Sequence, residues 1–193
     1  VCSTDLGRAC ETDTVLVLGC GAIGLGAIAA AARKGARVLA LDVDDAKIAQ
    51  GIRMGAHEGV NSRTEDVRAR VDALTGGEGV SVAIEAVGLP ATYRQAVDLV
   101  AFAGRVVCIG YAKEDVALQT KLVVSKELEV FGSRNALHVF PAVIGMLERR
   151  ERPVAELITA VYPLAEAPRA FADWDAAPHR FTRILIEVST GGA

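Results

Sequence analysis

Charge of one sign, paired cysteines, aromatic stripes and low-complexity tracts are all scarce in these 193 residues. Twenty-one Lys and Arg stand against 24 Asp and Glu, a formal charge of -3, with the two signs interspersed along the chain. No basic stripe exists to neutralise a nucleic-acid backbone, which reads against nucleic acid as a partner. The four cysteines, Cys2, Cys10, Cys20 and Cys108, show neither CxxC spacing nor a His at a ligand interval, so no structural zinc site is indicated. They read as reduced thiols, small apolar fillers in a cytoplasmic protein. No Ser, Gln or Pro-rich tract signals disorder, and 51% apolar against 23% charged residues is the composition of a folded globular chain. The opening VCSTDLGRACETD has no basic segment followed by an apolar one and so is no signal peptide. With Val1 in first place the chain reads as beginning mid-protein, and its length suits one full domain and part of a second.

What is present begins with an uncharged run of nineteen residues, Thr14 to Ala32, bounded by Asp13 and Arg33. That length would let a helix cross a membrane. However, glycines at 19, 21, 24 and 26 interrupt the run after the β-rich TVLVL, and each costs up to about 1 kcal/mol in a helix interior relative to Ala. The run therefore divides into a strand buried on both faces, Thr14–Gly19, and a returning helix, Ala22–Lys34, closed by Gly35. ARVLALD, Ala36–Asp42, is a second short strand, so the unit is βαβ and not a membrane span.

Between strand and helix lies Gly19-Cys20-Gly21-Ala22-Ile23-Gly24, a GxGxxG in the setting that separates a dinucleotide fingerprint from chance. The first glycine permits the turn, the second removes a Cβ where a pyrophosphate must approach, and the third lets helix and strand pack closely. The helix start offers unpaired N–H groups and partial positive charge to phosphates. Asp42 ends the second strand 23 residues after Gly19, close to the interval expected for a carboxylate that takes the adenosine ribose hydroxyls. This favours NAD, because a 2'-phosphate would meet a like charge there and no Arg immediately follows Asp42. Lys47, at the start of the next helix, is placed to reach the ribose or to be solvated, and Asp42 could instead serve as a helix cap.

The alternation continues down the chain. Asp44–Met54 reads as a helix closed by Gly55, HEGVN as a third strand, and Thr64–Leu74 as a helix. Val80–Gly88 is a fourth strand, Pro90–Val100 a helix with Pro in its first turn, Gly104–Tyr111 a fifth strand, and ELEVFGSR a sixth. Six strands separated by helical segments predict an α/β fold, a doubly wound parallel sheet whose ligand lies beyond the carboxyl ends of the strands, where strand order reverses. That edge is built from Gly19–Gly24, Asp42, Ala86–Gly88, Ile109–Tyr111 and Gly132–Asn135. Glu85 and Tyr111 stand there too, and a buried hydrogen-bonded role suits each better than catalysis.

The ordered set DTVLVLGCGAIGLGAIAAA, LDVDDAKIAQGIRMGA, VAIEAVG, GRVVCIG, FGSRNALHVFPAVIGMLERR and PLAEAPRAFADWDAAPHRFTRILIEV resembles the medium-chain, zinc-type alcohol dehydrogenases, in the branch of sorbitol, threonine and sugar-acid dehydrogenases. The resemblance implies a Rossmann domain inserted into a catalytic domain with a GroES-like barrel. It divides the chain into residues 1–13 (the end of that catalytic domain), 14–135 (NAD-binding) and 136–193 (a connecting helix and the return to the barrel). It implies that Gly19, Gly21 and Gly24 form the phosphate turn, that Ala22 and Ile23 offer backbone N–H groups, and that Asp42 and Lys47 hold the ribose. Val87, Ile109 and Arg134 then lie along the nicotinamide side, and Arg134 and Asn135 are the possible substrate contacts. The family's catalytic Zn²⁺ ligands lie upstream of Asp13, so no metal ligand or catalytic residue is assigned in this chain. The substrate implied is a small-molecule alcohol, polyol or sugar acid. A homo-oligomer, a dimer or tetramer, is expected to pair through Val116–Gln119.

Arg134 could fork onto a substrate carboxylate, bind a neighbouring loop or bind the cofactor phosphates. His138 reads as a helix-surface residue, and Phe171, Trp174, Phe181 and FTRILIEV have the apolar density of a core. Other readings are a non-enzymatic NAD-binding module, a methyltransferase, and a zinc-independent quinone-reductase-like enzyme whose NADPH preference Asp42 opposes. A short-chain dehydrogenase is excluded because no YxxxK occurs.

Overall fold

A strand with apolar side chains on both faces needs a separate helix layer for each. The computed structural model, which describes residues 2–135 and 138–188 and side chains from Thr4 onward, meets this need with a six-stranded parallel sheet. Its strands are β1 (Thr14–Leu18), β2 (Arg37–Asp42), β3 (Glu58–Asn61), β4 (Val80–Glu85), β5 (Val100–Cys108) and β6 (Glu129–Gly132), in the spatial order β3-β2-β1-β4-β5-β6. A short α1 (Cys2–Leu6) precedes them, and α2 (Ala22–Arg33), α3 (Asp45–Arg53), α4 (Val67–Thr75), α5 (Pro90–Leu99) and α6 (Thr120–Ser125) connect successive strands. The doubly wound sheet expected from the sequence is thus present, with the strand order reversing between β1 and β4.

Alternation along β1 shows how the layers divide. Leu16 pairs in register with Leu39 of β2 and Ala83 of β4, and Leu18 with Leu41. These residues share a core with Val67 and Val71 of α4 and with Ala96, Val97 and Leu99 of α5. The intervening Val15 and Val17 turn to the other face. There Gly24 of α2 closes on Val17, and Gly51 of α3 closes on Ala40 and on Ile28 of α2.

β5 departs from the expected boundaries. It starts at Val100, directly from α5, and ends at Cys108 instead of Tyr111. Its register with β4 breaks between Val80 and Val82, and Ala103 adopts the left-handed conformation with φ of 52°. A bulge of this kind takes up extra residues without shifting the ladder that follows, so Arg105–Cys108 still pair with Val82–Glu85.

Two side chains tie loops to this sheet. Arg105 pairs with the buried Asp13 and also donates to the carbonyls of Gly7 and Arg8, which pins the chain entering β1. Lys126 donates its ammonium to the carbonyls of Val97, Asp98 and Val100, at 3.3, 2.9 and 2.8 Å, where α5 ends with unpaired acceptors.

The chain divides into two compact units, the boundary in sequence falling between Arg152 and Pro153. Helix α7 (Phe140–Glu148) belongs to the first, where Arg33 donates to the carbonyl of Ala142 at 3.2 Å. The second unit comprises β7 (Ile158–Pro163), α8 (Ala167–Ala176) and β8 (Arg183–Glu187), a parallel pair of strands joined through the helix. The Tyr162 hydroxyl donates to Asp173 and ties α8 to β7. Phe171 and Trp174 of α8 remain 68% and 51% exposed. Among the described residues, no helix is long and apolar enough to cross a membrane.

Replacing Lys126 by Met removes three charge-assisted hydrogen bonds and strands the end of α5. Urea unfolding of this variant is expected to show a loss of about 2 kcal/mol, whereas an unchanged midpoint would show that water caps the helix equally well.

Candidate functional site

The site is set by how closely α2 follows β1. Gly19 turns the chain with φ of +96°, and its N–H donates to the carbonyl of Leu41 at 2.7 Å. A Cβ on Gly24 would lie 1.8 Å from the Gly19 carbonyl oxygen, so only glycine lets the helix start this close to the strand. Gly21 differs, because a Cβ there would meet nothing within 4 Å. The space beside it is open, and Gly21 supplies no capping side chain to α2. The first-turn N–H groups, those of Ala22 and Ile23 among them, therefore receive no side-chain acceptor from the cap. The result is a cradle of backbone donors at the positive end of a helix.

Asp42, at the end of β2, stands beside the cradle. Its Oδ2 accepts from the Cys20 N–H at 2.7 Å and its Oδ1 from the Val43 N–H at 2.8 Å. Each oxygen keeps a free lone pair, so the carboxylate is held in place and can still accept from two hydroxyls. Capping of α3 falls to Asp44, which accepts from Ala46 N–H at 2.8 Å, and Asp42 is not needed there. Lys47, half-buried in α3, is close enough for its charge to act on Cys20. Burial, followed by the Asp42 carboxylate, pushes the Cys20 thiol up to about 12, with Lys47 opposing.

On the other side of β1, the ends of β4, β5 and β6 form a second wall. Val87 is 42% exposed beside the glycine turn, and Ile109 is half-buried. Tyr111, expected to be buried and hydrogen-bonded, is 69% exposed, and the Arg134 guanidinium lies over its ring, 5.6 Å from the centroid. A cavity of about 380 Å³ opens here, lined by Tyr93, Ile109, Tyr111, Val116, Ser133 and Arg134. Asn135 follows Arg134 and is exposed, as is His138, which stands ahead of α7 and not on its surface. Val116–Gln119 carries no strand. Cys108, half-buried near this wall, is pushed up to about 11 by burial and by Glu85.

The structure thus brings Gly19, Gly21, Ala22, Ile23, Gly24, Asp42 and Lys47 together on one side, and Val87, Ile109 and Arg134 on the other. Sequence reasoning missed Val43, an exposed apolar side chain directly after the end of β2. An apolar residue directly after a polar strand end was the available signal. Among the described residues no group of three or more His, Cys, Asp or Glu could hold a metal ion, so the side chains present do not fit a zinc site.

Residues 22–149 match the family model described as zinc-binding dehydrogenase. The chain belongs to that family. It is 37% identical over 156 residues to the erythritol/L-threitol dehydrogenase of Mycolicibacterium smegmatis, covering 80% of this chain and 43% of that protein. Its fold matches an Escherichia coli CFT073 alcohol dehydrogenase crystallised with NADH at a TM-score of 0.87 and 25% identity, over 97% of this chain and 56% of the other. A Sinorhizobium meliloti 1021 protein bound to NADP matches at 0.86 and 27%, over 96% and 55%. The chain spans about half the length of the relatives it matches.

Folding raises the Cys20 and Cys108 thiols above their ordinary value of 9.0, so the native state holds these protons longer than the unfolded chain. The stability this supplies is complete below pH 9 and is lost as pH rises toward the folded values. Urea unfolding is expected to show lower stability at about pH 10.5 than at about pH 8, with a smaller decline in Cys20→Ala. An equal decline in that variant would remove Cys20 as the source.

Proposed function

We propose that this chain is the nucleotide-binding part of an NAD-dependent dehydrogenase acting on the secondary alcohol, or the corresponding ketone, of a polyol or sugar acid. One observation carries the reading: a carboxylate braced by the glycine turn's own N–H group, 2.7 Å away, beside an uncapped helix start with open space at Gly21. A dinucleotide matches these donors and acceptors in order. Its pyrophosphate suits the N–H groups of Ala22 and Ile23, and its adenosine ribose suits Asp42 and Lys47. Val43 offers an apolar surface to a ring at that end, and Val87, Ile109 and Arg134 line the path of the nicotinamide. When bound, the nicotinamide supplies the hydride acceptor.

Asp42 discriminates between the two nicotinamide cofactors. A 2'-phosphate would bring its charge against a carboxylate already committed to backbone donors, and Val43, not Arg, follows. The fold is compatible with either cofactor, as its NADH-bound and NADP-bound relatives illustrate. The choice rests on this side chain.

The polyol or sugar-acid class is supported by the erythritol/L-threitol relative and by Arg134, whose planar fork at the mouth could pair with a carboxylate. In this reading residues 14–135 bind the nucleotide, and residues 136–193 connect to and join an alcohol-binding domain that carries the zinc ligands. The complete enzyme is a homo-oligomer.

Calorimetry on the 193-residue chain is expected to give NADH at least about tenfold tighter binding than NADPH, with Asp42→Ala narrowing the gap. Preference of the unmodified chain for NADPH would overturn the cofactor assignment. The same chain is expected to oxidise no secondary alcohol even with zinc added, and measurable turnover would contradict the proposed division of labour.

A further inference from the structure

Glu85 is the last residue of β4, its side chain is fully buried, and the phosphate side of the proposed site does not use it. Its Oε1 accepts three hydrogen bonds, from the Val87 N–H at 2.9 Å, the Gly88 N–H at 2.8 Å and the Thr92 hydroxyl at 2.7 Å. Its backbone carbonyl accepts from the N–H groups of Ile109 and Gly110, at 2.8 and 3.1 Å. One residue thus holds the turn after β4, the first helical turn of α5 and the exit from β5.

Close packing joins these segments further. Gly88 has φ of +85°, and a Cβ there would meet the Tyr111 backbone at 2.5 Å. A Cβ on Gly110 would lie 2.2 Å from the Gly88 nitrogen and 2.6 Å from Glu85 Oε2. A Cβ on Gly19 would meet Val87 Cγ2 at 2.7 Å, so the same assembly reaches the glycine turn itself. Oε2 is buried with no hydrogen-bond partner among the described residues. A side chain serving only stability would be expected to satisfy both oxygens, whereas this one gives Oε1 three donors and sets Oε2 beside the place a Gly110 Cβ would take.

We infer that Glu85 is a positioning residue for the nicotinamide half of the cofactor, acting through the backbones of Val87, Gly88, Ile109 and Gly110. The inference rests on the proposed binding mode, in which Asp42 on the β2 side takes the adenosine end and the remaining half crosses to β4 and β5. The side-chain hydrogen bonds of Glu85 go to Val87, Gly88 and Thr92, and not to groups assigned to adenosine, ribose or pyrophosphate. Its removal is expected to loosen the nicotinamide half more than the phosphate half, which it reaches only through the Val87 side chain beside Gly19.

ADP-ribose contains the adenosine and pyrophosphate portions of NADH and lacks the nicotinamide, so the two ligands separate these halves. With the 193-residue chain, Glu85→Ala is expected to weaken NADH by about tenfold while changing ADP-ribose by less than about twofold. Glu85→Gln, which keeps an oxygen acceptor for Val87 and Gly88, should recover most of the loss. Thr92→Val removes a single donor from the periphery and should move the NADH to ADP-ribose ratio in the same direction by a smaller factor, which keeps the test open if Glu85→Ala fails to fold. Parallel losses of both ligands in the folded variants, or an unchanged ratio in all three, would overturn the positioning role and leave the binding mode standing. Failure of the unmodified chain to bind ADP-ribose would overturn the binding mode and this inference together.

Discussion

A backbone carbonyl lying where a Cβ would otherwise stand governs this molecule. Gly24 presses its bare α-carbon against the Gly19 carbonyl, so α2 begins almost as soon as β1 ends. Any larger residue would push the helix start away from the sheet. The unpaired N–H groups of the first turn would then lose their place between Asp42 on β2 and Val87 beyond β4. Both walls of the site are arranged around that one contact, and the buried alternation of Val15, Leu16, Val17 and Leu18 holds the strand that anchors it.

The strands on either side of β1 end in the same device. Asp42 closes β2 and takes the N–H groups of Cys20 and Val43; Glu85 closes β4 and takes those of Val87 and Gly88. In each case a carboxyl group fixes the loop that follows its own strand. The difference lies in what remains. Asp42 is only partly covered and keeps acceptor capacity toward solvent, while Glu85 is sealed and acts on the backbone of Val87 and Gly88 and on the Thr92 hydroxyl. The first can therefore recognise a ligand directly and the second can do so only at one remove. Tyr111 and Arg134, the guanidinium over the ring, complete the rim of the second wall.

Much of the fold was legible because it rests on local rules. The period of apolar residues, the glycines of the turn and the acidic strand end placed β1, α2 and β2 to within a residue or two. What escaped depends on contacts distant in sequence. The early start of β5 comes from a bulge at Ala101–Ala103 that Lys126 helps to fix, since the Ala103 N–H donates to the Lys126 carbonyl. Tyr111 was expected to be buried because it ends an apolar strand, yet the ladder stops at Cys108 and leaves it outside. The triple acceptance at Glu85 Oε1 could not be read either, because Thr92 comes within reach only once α5 folds back over β4. The spacing of GxGxxG and Asp42 gave the cradle, and the opposite wall had no comparable spacing rule.

The chain contains a single tryptophan, Trp174, and it lies in the second unit, half exposed on α8. The sheet that carries the candidate site has none. Indole emission from this protein therefore arises wholly in the second unit and reports the surroundings of α8. Its wavelength would shift to the blue when an apolar surface covers that helix, giving the second unit an intrinsic optical label that needs no engineering.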